Sequence, residues 1–279
     1  MQRRIGIIGC GTIGTELALS IDKSHVKNAV IVFLFDSITN ASLDLRDKLF
    51  KNYPSVFSKF SQLISSSPFK EADIIVEAAS QAAVKTFAKK IVSSNKSLMI
   101  MSTGALSDAH LLKELYNTVV KHDSHIYFPT GAIAGIDALC SVKQHLDFVM
   151  LTTTKNPKSL AGAPFFDLTN IKPETIRKRK LLYNGNASNA IKMFPTNINV
   201  AVLLSLAGVG TEKTRVRVIA DPNIDRNEHE IIARGKFGEI LIVVRNVPSP
   251  HNPKTSYLAS LSAIECLRRI CDDKIRIGT

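Results

Sequence analysis

The sequence predicts an α/β fold in which a doubly wound parallel sheet is followed by a second domain of α+β type with a mixed open sheet. In the first half, short apolar segments alternate with segments whose apolar residues recur at helical spacing. In the second half, three strand candidates follow one another without intervening helices. A length of 279 residues lets both domains bury a core. We expect the first domain at 1–130 and the second at 131–256.

The first domain begins with a short apolar strand and a glycine-rich turn, after which Ile13, Leu17 and Ile21 recur at helical spacing. Residues 29–35 form a continuous apolar and β-branched run, which is typical of a strand covered on both faces. The alternation of such strands with helices favours parallel strands joined by right-handed crossovers. We predict strands at 4–8, 29–35, 73–76, 97–101 and 125–128, and further helices at 82–91 and 111–119.

The pattern changes after Pro129. A helix predicted at 187–193 ends before Pro195, because proline disfavours helix at the residue that precedes it. The chain closes with an amphipathic helix at 257–279, and we expect this helix to pack back on the first domain. Its apolar stripe consists of Leu258, Leu261, Ile264 and Leu267. The other elements predicted here are strands at 147–154, 214–220, 230–234 and 239–245 and a nearly all-apolar helix at 199–207.

Composition is that of a soluble globular protein, with 45% hydrophobic and 22% charged residues. No apolar run reaches the roughly 18 residues that a membrane span needs, so we expect no membrane partner. The basic first residues lead directly into a strand instead of a signal peptide, which predicts a cytoplasmic protein. We expect no metal site and only reduced thiols in apolar surroundings, because no CxxC pair or metal-ligand spacing joins Cys10, Cys140, Cys266 and Cys271.

A formal net charge of +12 is the unusual global property. The basic residues are spread along the chain, and the one dense cluster is at 177–180. Aromatic residues make up 6% of the chain and tryptophan is absent, which leaves little for stacking on bases. We therefore predict a basic surface that favours anionic ligands, and not a nucleic-acid-binding protein.

The turn after the first strand, residues 9–14, reads Gly-Cys-Gly-Thr-Ile-Gly and follows the GxGxxG pattern. GxGxxG by itself is a weak signal, but here a strand precedes it and a helix follows it. Gly9 would make the tight turn, Gly11 would let the backbone approach a pyrophosphate, and Gly14 would let helix and strand pack closely. Free N–H groups of Thr12 and Ile13 at the helix N-terminus favour phosphate binding. These features predict a Rossmann-type dinucleotide site.

The dinucleotide is predicted to be NAD, with NADP as the alternative. Asp36 follows the second strand, where an acid can hydrogen-bond the ribose 2′-hydroxyl and would repel a 2′-phosphate. No arginine follows it to bind that phosphate. Small residues after the next strands would let the cofactor lie against the backbone, and the candidates are Ala79, Ser80, Thr103 and Gly104.

Four polar motifs in the second half are hard to explain by packing. They are 130–135 (TGAIAG), 194–200 (FPTNINV), the segment from 220–222 (ADP) to 227–229 (NEH), and 252–256 (NPKTS). In this order and together with the phosphate loop, they resemble the L-aspartate dehydrogenase family over essentially the whole chain. The combination is specific, although each motif by itself is not.

The resemblance implies oxidation of L-aspartate with NAD(P) to iminoaspartate, which hydrolyses to oxaloacetate and ammonia and can supply NAD biosynthesis. It also implies a homodimer, with a second domain similar to that of dihydrodipicolinate reductase. His229 matches the family's catalytic histidine, and histidine titrates near the working pH, as an acid–base group should. The implied cofactor contacts are Ala132 and one of Asn197 and Asn199, of which we favour Asn199.

The two substrate carboxylates require basic or N–H and O–H donors, for which the candidates are Lys155, Lys254, Thr255 and Ser256. His251 is a rival to His229. The chain also departs from the family pattern at 183–187, where an acid is expected before the glycine, and at 155–157, where a second proline is usual. These departures leave two alternatives: a related reductase for another imine or keto acid, and a non-catalytic dinucleotide-binding regulator.

Overall fold

The computed structural model describes residues 2–195, 199–250, 252–272 and 274, without the side chains of Pro253 and Lys254. The chain divides into two compact units, one formed by Met1–Pro129 with Ser260–Thr279 and the other by Thr130–Ala259. Among the described residues, no helix is long and apolar enough to cross a membrane.

The first unit contains a six-stranded parallel sheet with the strand order β3-β2-β1-β4-β5-β6. The order reverses between β1 and β4, and open α/β sheets bind ligands beyond the carboxyl ends of the strands at such a point. The strands are β1 Arg3–Ile8, β2 Ala29–Phe35, β3 Ser55–Phe57, β4 Ile74–Glu77, β5 Ser97–Ile100 and β6 Ile126–Tyr127. The helices are α1 Thr12–Asp22, α2 Thr39–Arg46, α3 Phe60–Ser65, α4 Ser67–Glu71, α5 Gln81–Val92 and α6 Ala109–His122.

The central strands form because their side chains are buried on both faces of the sheet. Ile5, Ile7 and Ile8 of β1 have no exposed surface, and Phe33 and Leu34 of β2 have none. Helices cover both faces of such a sheet, and their ends are defined by polar caps: the Ser80 hydroxyl accepts the Ala83 N–H at the start of α5. This unit confirms the predicted doubly wound parallel sheet.

The edge strand β3 and the helices α2, α3 and α4 lie in a segment for which no element was predicted. β3 has three residues, which pair in parallel with β2 from Phe33 to Phe35. A strand this short shows no measurable periodicity, so its pairing with β2 defines it.

The C-terminal helix α12, Tyr257–Cys271, contributes Ala263, Leu267 and Cys271 to the same buried cluster as Ile5 and Leu17. The predicted stripe is wrong at Leu261, which is 42% exposed. The buried positions of α12 are Ser260, Ala263, Leu267 and Cys271, so the predicted and the observed stripes share Leu267. Two stripes of helical spacing overlap on α12, so its apolar residues alone do not identify the buried face. The buried face is the one with Ser260 and Ala263, because small residues let the helix approach the rest of the unit more closely.

The second unit contains a five-stranded sheet with the order β11-β10-β7-β9-β8, in which β7 and β9 are parallel and the other pairs antiparallel. This arrangement confirms the predicted mixed sheet. The strands are β7 Leu146–Lys155, β8 Lys180–Asn186, β9 Arg215–Ala220, β10 Asn227–Gly235 and β11 Gly238–Asn246, and a separate ribbon consists of β12 Pro248–Ser249 and β13 Asn252–Ser256. The helices are α7 Ile136–Ser141, α8 Pro157–Leu160, α9 Pro164–Thr169, α10 Ala187–Met193 and α11 Asn199–Ala207.

Side chains of this sheet alternate between a buried face and a more exposed face. The inner face, as we call the buried one, carries the buried side chains of Val149, Leu151, Thr153, Val216, Val218, Ala220, His229, Ile231 and Ala233. The outer face carries Leu241 and Val243 of the edge strand β11, which are 60% and 42% exposed. This alternation is typical of a sheet with one covered face.

Three features of this unit differ from the sequence predictions. β8 was not predicted, because its apolar residues are limited to 181–183 and it lies at the edge of the sheet. The basic residues 177–180 are exposed, and Lys180 begins this strand. β10 begins at Asn227 instead of residue 230, so His229 lies within a strand and not in a loop. Cys140 is exposed and not in apolar surroundings.

Candidate active site

The phosphate-loop sequence lies between β1 and α1. Gly9 adopts φ +98°, and a Cβ there would lie 2.6 Å from the carbonyl carbon of Ala78. The Gly9 N–H donates to the Phe35 carbonyl at 2.8 Å, which joins the loop to β2. A Cβ on Gly14 would lie 1.9 Å from the Gly9 carbonyl oxygen. Both positions therefore require glycine to bring strand, loop and helix into contact.

Gly11 has a different environment. It precedes α1 without a side-chain cap, and a Cβ built on it would meet no atom within 4 Å. The absence of a side chain at Gly11 therefore leaves open space beside the first turn of α1. A phosphate in that space would meet N–H groups and the positive end of the helix dipole.

Asp36 lies beside this loop. One of its carboxylate oxygens accepts the Cys10 N–H at 2.8 Å and the other accepts the Ile38 N–H at 2.9 Å. The carboxylate is thus held at the carboxyl end of β2, where it can bind a ribose 2′-hydroxyl and repel a 2′-phosphate. Burial and the Asp36 charge raise the pKa of the Cys10 thiol to about 12, so this thiol stays protonated.

Replacing Asp36 by serine is expected to raise the Kd for NADH by about 10-fold, since a hydrogen bond to a charged group is lost. The Kd for NADPH should fall, because the repulsion of the 2′-phosphate is removed. Fluorescence titration with both cofactors measures the two constants. Asp47→Ser is the control, since the Asp47 side chain is 67% exposed and pairs with its neighbour Arg46. An unchanged ratio of the two constants would contradict the role of Asp36.

The ends of β4 and β5 are joined by Glu77, a residue that the sequence analysis did not identify. Glu77 is 2% exposed, and its carboxylate accepts four hydrogen bonds: from the N–H groups of Ala79 and Ser80, both at 2.9 Å, and from the Ser102 N–H and hydroxyl at 3.0 and 2.9 Å. Burial raises the pKa of Glu77 more than these bonds lower it. The signal that was available is a carboxyl group at the end of an apolar strand.

The Glu77 network arranges the predicted cofactor residues at one edge of the parallel sheet. Ala79 and Ser80 follow β4, while Thr103 and Gly104 are buried in a 3-10 turn after β5. The close approach of Gly9 to Ala78 adds the phosphate loop to the same edge. The Glu77 carboxylate therefore holds Ala79 and Ser80 directly, and it holds Ser102, which Thr103 and Gly104 follow along the chain.

In the second unit, the Ala132 carbonyl accepts the Asn246 side-chain amide at 2.8 Å. Asn246 is 3% exposed and belongs to β11, so the strand fixes the turn that contains Ala132. Gly135, with φ +72°, ends the same turn, and a Cβ there would lie 2.2 Å from Ile242. Asn199 is the first residue of α11, whereas Asn197 lies outside the described residues.

His229 lies on the inner face of the second sheet and is 3% exposed. Its Cα pairs with that of Thr153 on β7 and that of Val244 on β11. Its Nδ1 atom is buried and has no hydrogen-bond partner among the described residues. Burial and the positive charge of Lys155 lower the pKa of His229 to about 3, so its imidazole is neutral near pH 7. The sequence-based expectation that His229 titrates near the working pH therefore differs from what its buried environment in the structure gives.

Lys155 is the last residue of β7, and its main-chain carbonyl accepts the Asp221 N–H at 2.9 Å. Desolvation lowers the pKa of its ammonium group to about 8, so the group remains mostly charged at pH 7. Among the predicted carboxylate donors, Lys155 is the one that the structure places near His229. Thr255 and Ser256 belong to the ribbon strand β13, and the Lys254 side chain and His251 lie outside the described residues.

Acid is expected to destabilise the protein in part through His229. The unfolded chain takes up this proton near pH 6.5, whereas the folded chain takes it up only near pH 3. Because the unfolded state binds more protons in this window, stability falls as the pH is lowered from 6.5. His229→Gln should make the melting temperature less dependent on pH there, while the exposed His145→Gln should not. If the melting temperatures of the wild type and His229→Gln depended on pH in the same way, the low pKa of His229 would be contradicted.

No group of at least three His, Cys, Asp or Glu side chains that could hold a metal ion is found within the described ranges. The four cysteines are free, and Cys10 and Cys271 are buried.

Comparisons with known proteins cover both units. Residues 137–270 match the family model "Aspartate dehydrogenase, C-terminal", and residues 9–129 match "Homoserine dehydrogenase, NAD binding domain". L-aspartate dehydrogenase of Nitrosopumilus maritimus is 48% identical over 278 residues and 100% of both chains, and that of Methanosarcina barkeri is 44% identical over 99% of both. The crystal structure of aspartate dehydrogenase from Thermotoga maritima superimposes with a TM-score of 0.75 at 27% identity, over 100% of both chains.

Proposed function

This chain belongs to the aspartate dehydrogenase family, and on that premise we propose that it oxidises L-aspartate with NAD to iminoaspartate, which hydrolyses to oxaloacetate and ammonia. The observation that carries the proposal is the neutral, buried imidazole of His229 beside the charge of Lys155, with an Nδ1 atom that has no hydrogen-bond partner among the described residues. A neutral imidazole can accept a proton, and loss of hydride from an amino-bearing carbon requires a neutral amine. NADP is the alternative cofactor.

In the proposed mechanism, residues 9–14 would bind the pyrophosphate, and Asp36, held by the Cys10 N–H, would bind the adenosine ribose. NAD, when bound, supplies the acceptor for the hydride that leaves the α-carbon. His229 accepts the proton that the substrate ammonium group releases, and the nitrogen lone pair then forms the C=N bond as the hydride departs. Lys155 attracts the substrate carboxylates, since its ammonium charge is poorly solvated. The further cofactor contacts that we propose are Ala79, Ser80, Thr103, Gly104, Ala132 and Asn197 or Asn199.

The test is the appearance of NADH when the protein is given NAD and L-aspartate, compared with a panel of other amino acids. We expect L-aspartate to be the best substrate, with oxaloacetate and ammonia consumed in the reverse direction. Faster turnover of another amino acid, or of another keto acid with ammonia, would favour the related reductase. Binding of NAD without turnover of any of these compounds would favour the regulator.

We further propose that the imine product supplies NAD biosynthesis, because it is released as a reactive C=N compound from an amino acid. Cells that lack this chain should then require an external pyridine source, and growth without such a requirement would contradict the role. A cytoplasmic location is part of the proposal and is supported by the four free cysteines.

We also propose that the second unit binds the substrate and forms a homodimer through the outer face of its sheet. The exposed Leu241 and Val243 of the edge strand β11 support this, because exposed apolar strands at a sheet edge favour association. Leu241→Asp should convert a dimer to a monomer in size-exclusion chromatography with light scattering. Leu168→Asp on α9, where the leucine is 69% exposed, is the control. A monomeric wild-type protein would contradict the proposal.

A further inference from the structure

Polar side chains lie together at the carboxyl end of β7. The Cα of Thr153 pairs with that of His229 on β10 and with that of Val218 on β9. Lys155 follows two residues later on β7, so Lys155 and Thr153 lie on the same face of the strand. We call Thr153, Lys155 and His229 the β7 cluster.

Thr153 is 5% exposed, and its hydroxyl oxygen has no hydrogen-bond partner among the described residues. Nδ1 of His229, the residue opposite Thr153 on β10, likewise has no hydrogen-bond partner among the described residues. Among the other buried hydroxyls of this unit, Ser205 donates to the Ala201 carbonyl at 2.7 Å and Thr214 to the Gly210 carbonyl at 2.8 Å, whereas the Ser256 hydroxyl also has no partner among the described residues.

These two buried polar atoms belong to residues that lie opposite each other on neighbouring strands, and neither atom has a hydrogen-bond partner among the described residues. This needs an explanation, because native structures satisfy nearly all buried polar atoms. On the side of Thr153 away from Lys155 and His229, its inner-face neighbours are Leu151 and Val218, which carry no polar side-chain atom. A ligand that enters beside Thr153 would satisfy both atoms.

The chemistry of the β7 cluster selects the ligand. A threonine hydroxyl donates a hydrogen bond and a lysine ammonium supplies a positive charge, which together fit a carboxylate. A neutral imidazole next to them accepts a proton from an ammonium group.

We propose that Thr153 and Lys155 form the subsite for one carboxylate of a dicarboxylic amino acid and thereby bring its amino group to His229. The inference rests on the proposed function, and it adds Thr153 as a substrate-binding residue. A carboxylate beside Lys155 would offset the charge that now lowers the pKa of His229, so substrate binding itself would make His229 a better base.

The test uses succinate, a dicarboxylate that has no amino group and cannot be oxidised at an amine. Its Kd is measured by calorimetry on the NADH-saturated protein for the wild type and for Thr153→Val, Thr153→Ser and Thr152→Val. We expect Thr153→Val to weaken succinate binding by about 10-fold or more, because a hydrogen bond to a charged group is lost. Thr153→Ser should restore most of the affinity. Thr152→Val, the same change one residue earlier on the opposite face of β7, should leave it unchanged.

Turnover separates a binding role from a general loss of structure. In Thr153→Val we expect a raised KM for L-aspartate, a smaller change in kcat and an unchanged Kd for NADH. The melting temperature should not fall, since the substitution keeps the shape of the side chain and removes a buried hydroxyl that has no partner in the described part of the chain.

The outcomes distinguish this inference from the proposed function. A wild type that oxidises L-aspartate, with unchanged KM and succinate affinity in Thr153→Val, would overturn the subsite and leave the function standing. A wild type that binds succinate through Thr153 but does not oxidise L-aspartate would support the subsite and overturn the function. A wild type that neither binds succinate nor oxidises L-aspartate would overturn both.

Discussion

Replacement of His229 by alanine is expected to lower kcat for L-aspartate by about 10²–10⁴-fold, the range typical of a lost general base. The proton of the substrate ammonium group would then lose the acceptor that we propose for it. The Kd for NADH should be unchanged, because the phosphate loop and Asp36 belong to the first unit. Initial-rate measurements and fluorescence titration give the two quantities.

The control for His229 is His145→Ala, which changes an exposed histidine of the same unit. Its kcat should equal that of the wild type. Wild-type turnover in His229→Ala would remove the assigned proton transfer, and the rival His251 would then be tested in the same way. Loss of NADH binding in His229→Ala would instead indicate that the substitution disturbs the fold.

Substitution by alanine should have different effects at the two glycines near the start of α1, Gly11 and Gly14. Gly14→Ala would put a Cβ 1.9 Å from the Gly9 carbonyl oxygen, so either the strand or the helix must shift. We expect the free energy of unfolding to fall by about 3 kcal/mol, as in severe overpacking, with loss of NADH binding. Thermal or urea denaturation measures the first effect.

Gly11→Ala should fold like the wild type, because its Cβ would meet no atom within 4 Å. The methyl group would nevertheless occupy the space beside the first turn of α1, where we expect the pyrophosphate. The Kd for NADH should rise by about 100-fold, since more than one hydrogen bond to a phosphate is weakened. A Gly11→Ala protein with wild-type affinity for NADH would place the phosphates elsewhere, and a Gly14→Ala protein of wild-type stability would contradict the packing argument.

Segments whose signals lie close together along the chain were predicted well. Strand 29–35 and helices 187–193 and 199–207 have the bounds that the sequence predicts. The edge strands β3 and β8 were missed, since their pairing with a neighbouring strand defines them. The start of β10 was placed too late because its first residues are polar, although they pair with both β7 and β11.

The two parts of the site differ in the same way. The glycines of the phosphate loop and Asp36 belong to one strand–helix–strand segment, so their spacing alone predicts where they lie. Glu77 accepts hydrogen bonds from Ser102, which follows a different strand. Thr153 lies opposite His229, which belongs to a different strand. No short-range pattern in the sequence shows which residues these side chains meet in the folded protein.

By itself, the sequence determined the parallel dinucleotide-binding sheet, the glycine turn and the acid at the end of β2, because each depends on residues close together along the chain. The tertiary structure decided the state of His229 and the identity of its neighbours. Burial and the charge of Lys155 keep its imidazole neutral, and the register of β7 and β10 puts Thr153 beside it. Burial, charge proximity and strand register are properties of chain segments that meet only on folding, so residue spacing does not contain them.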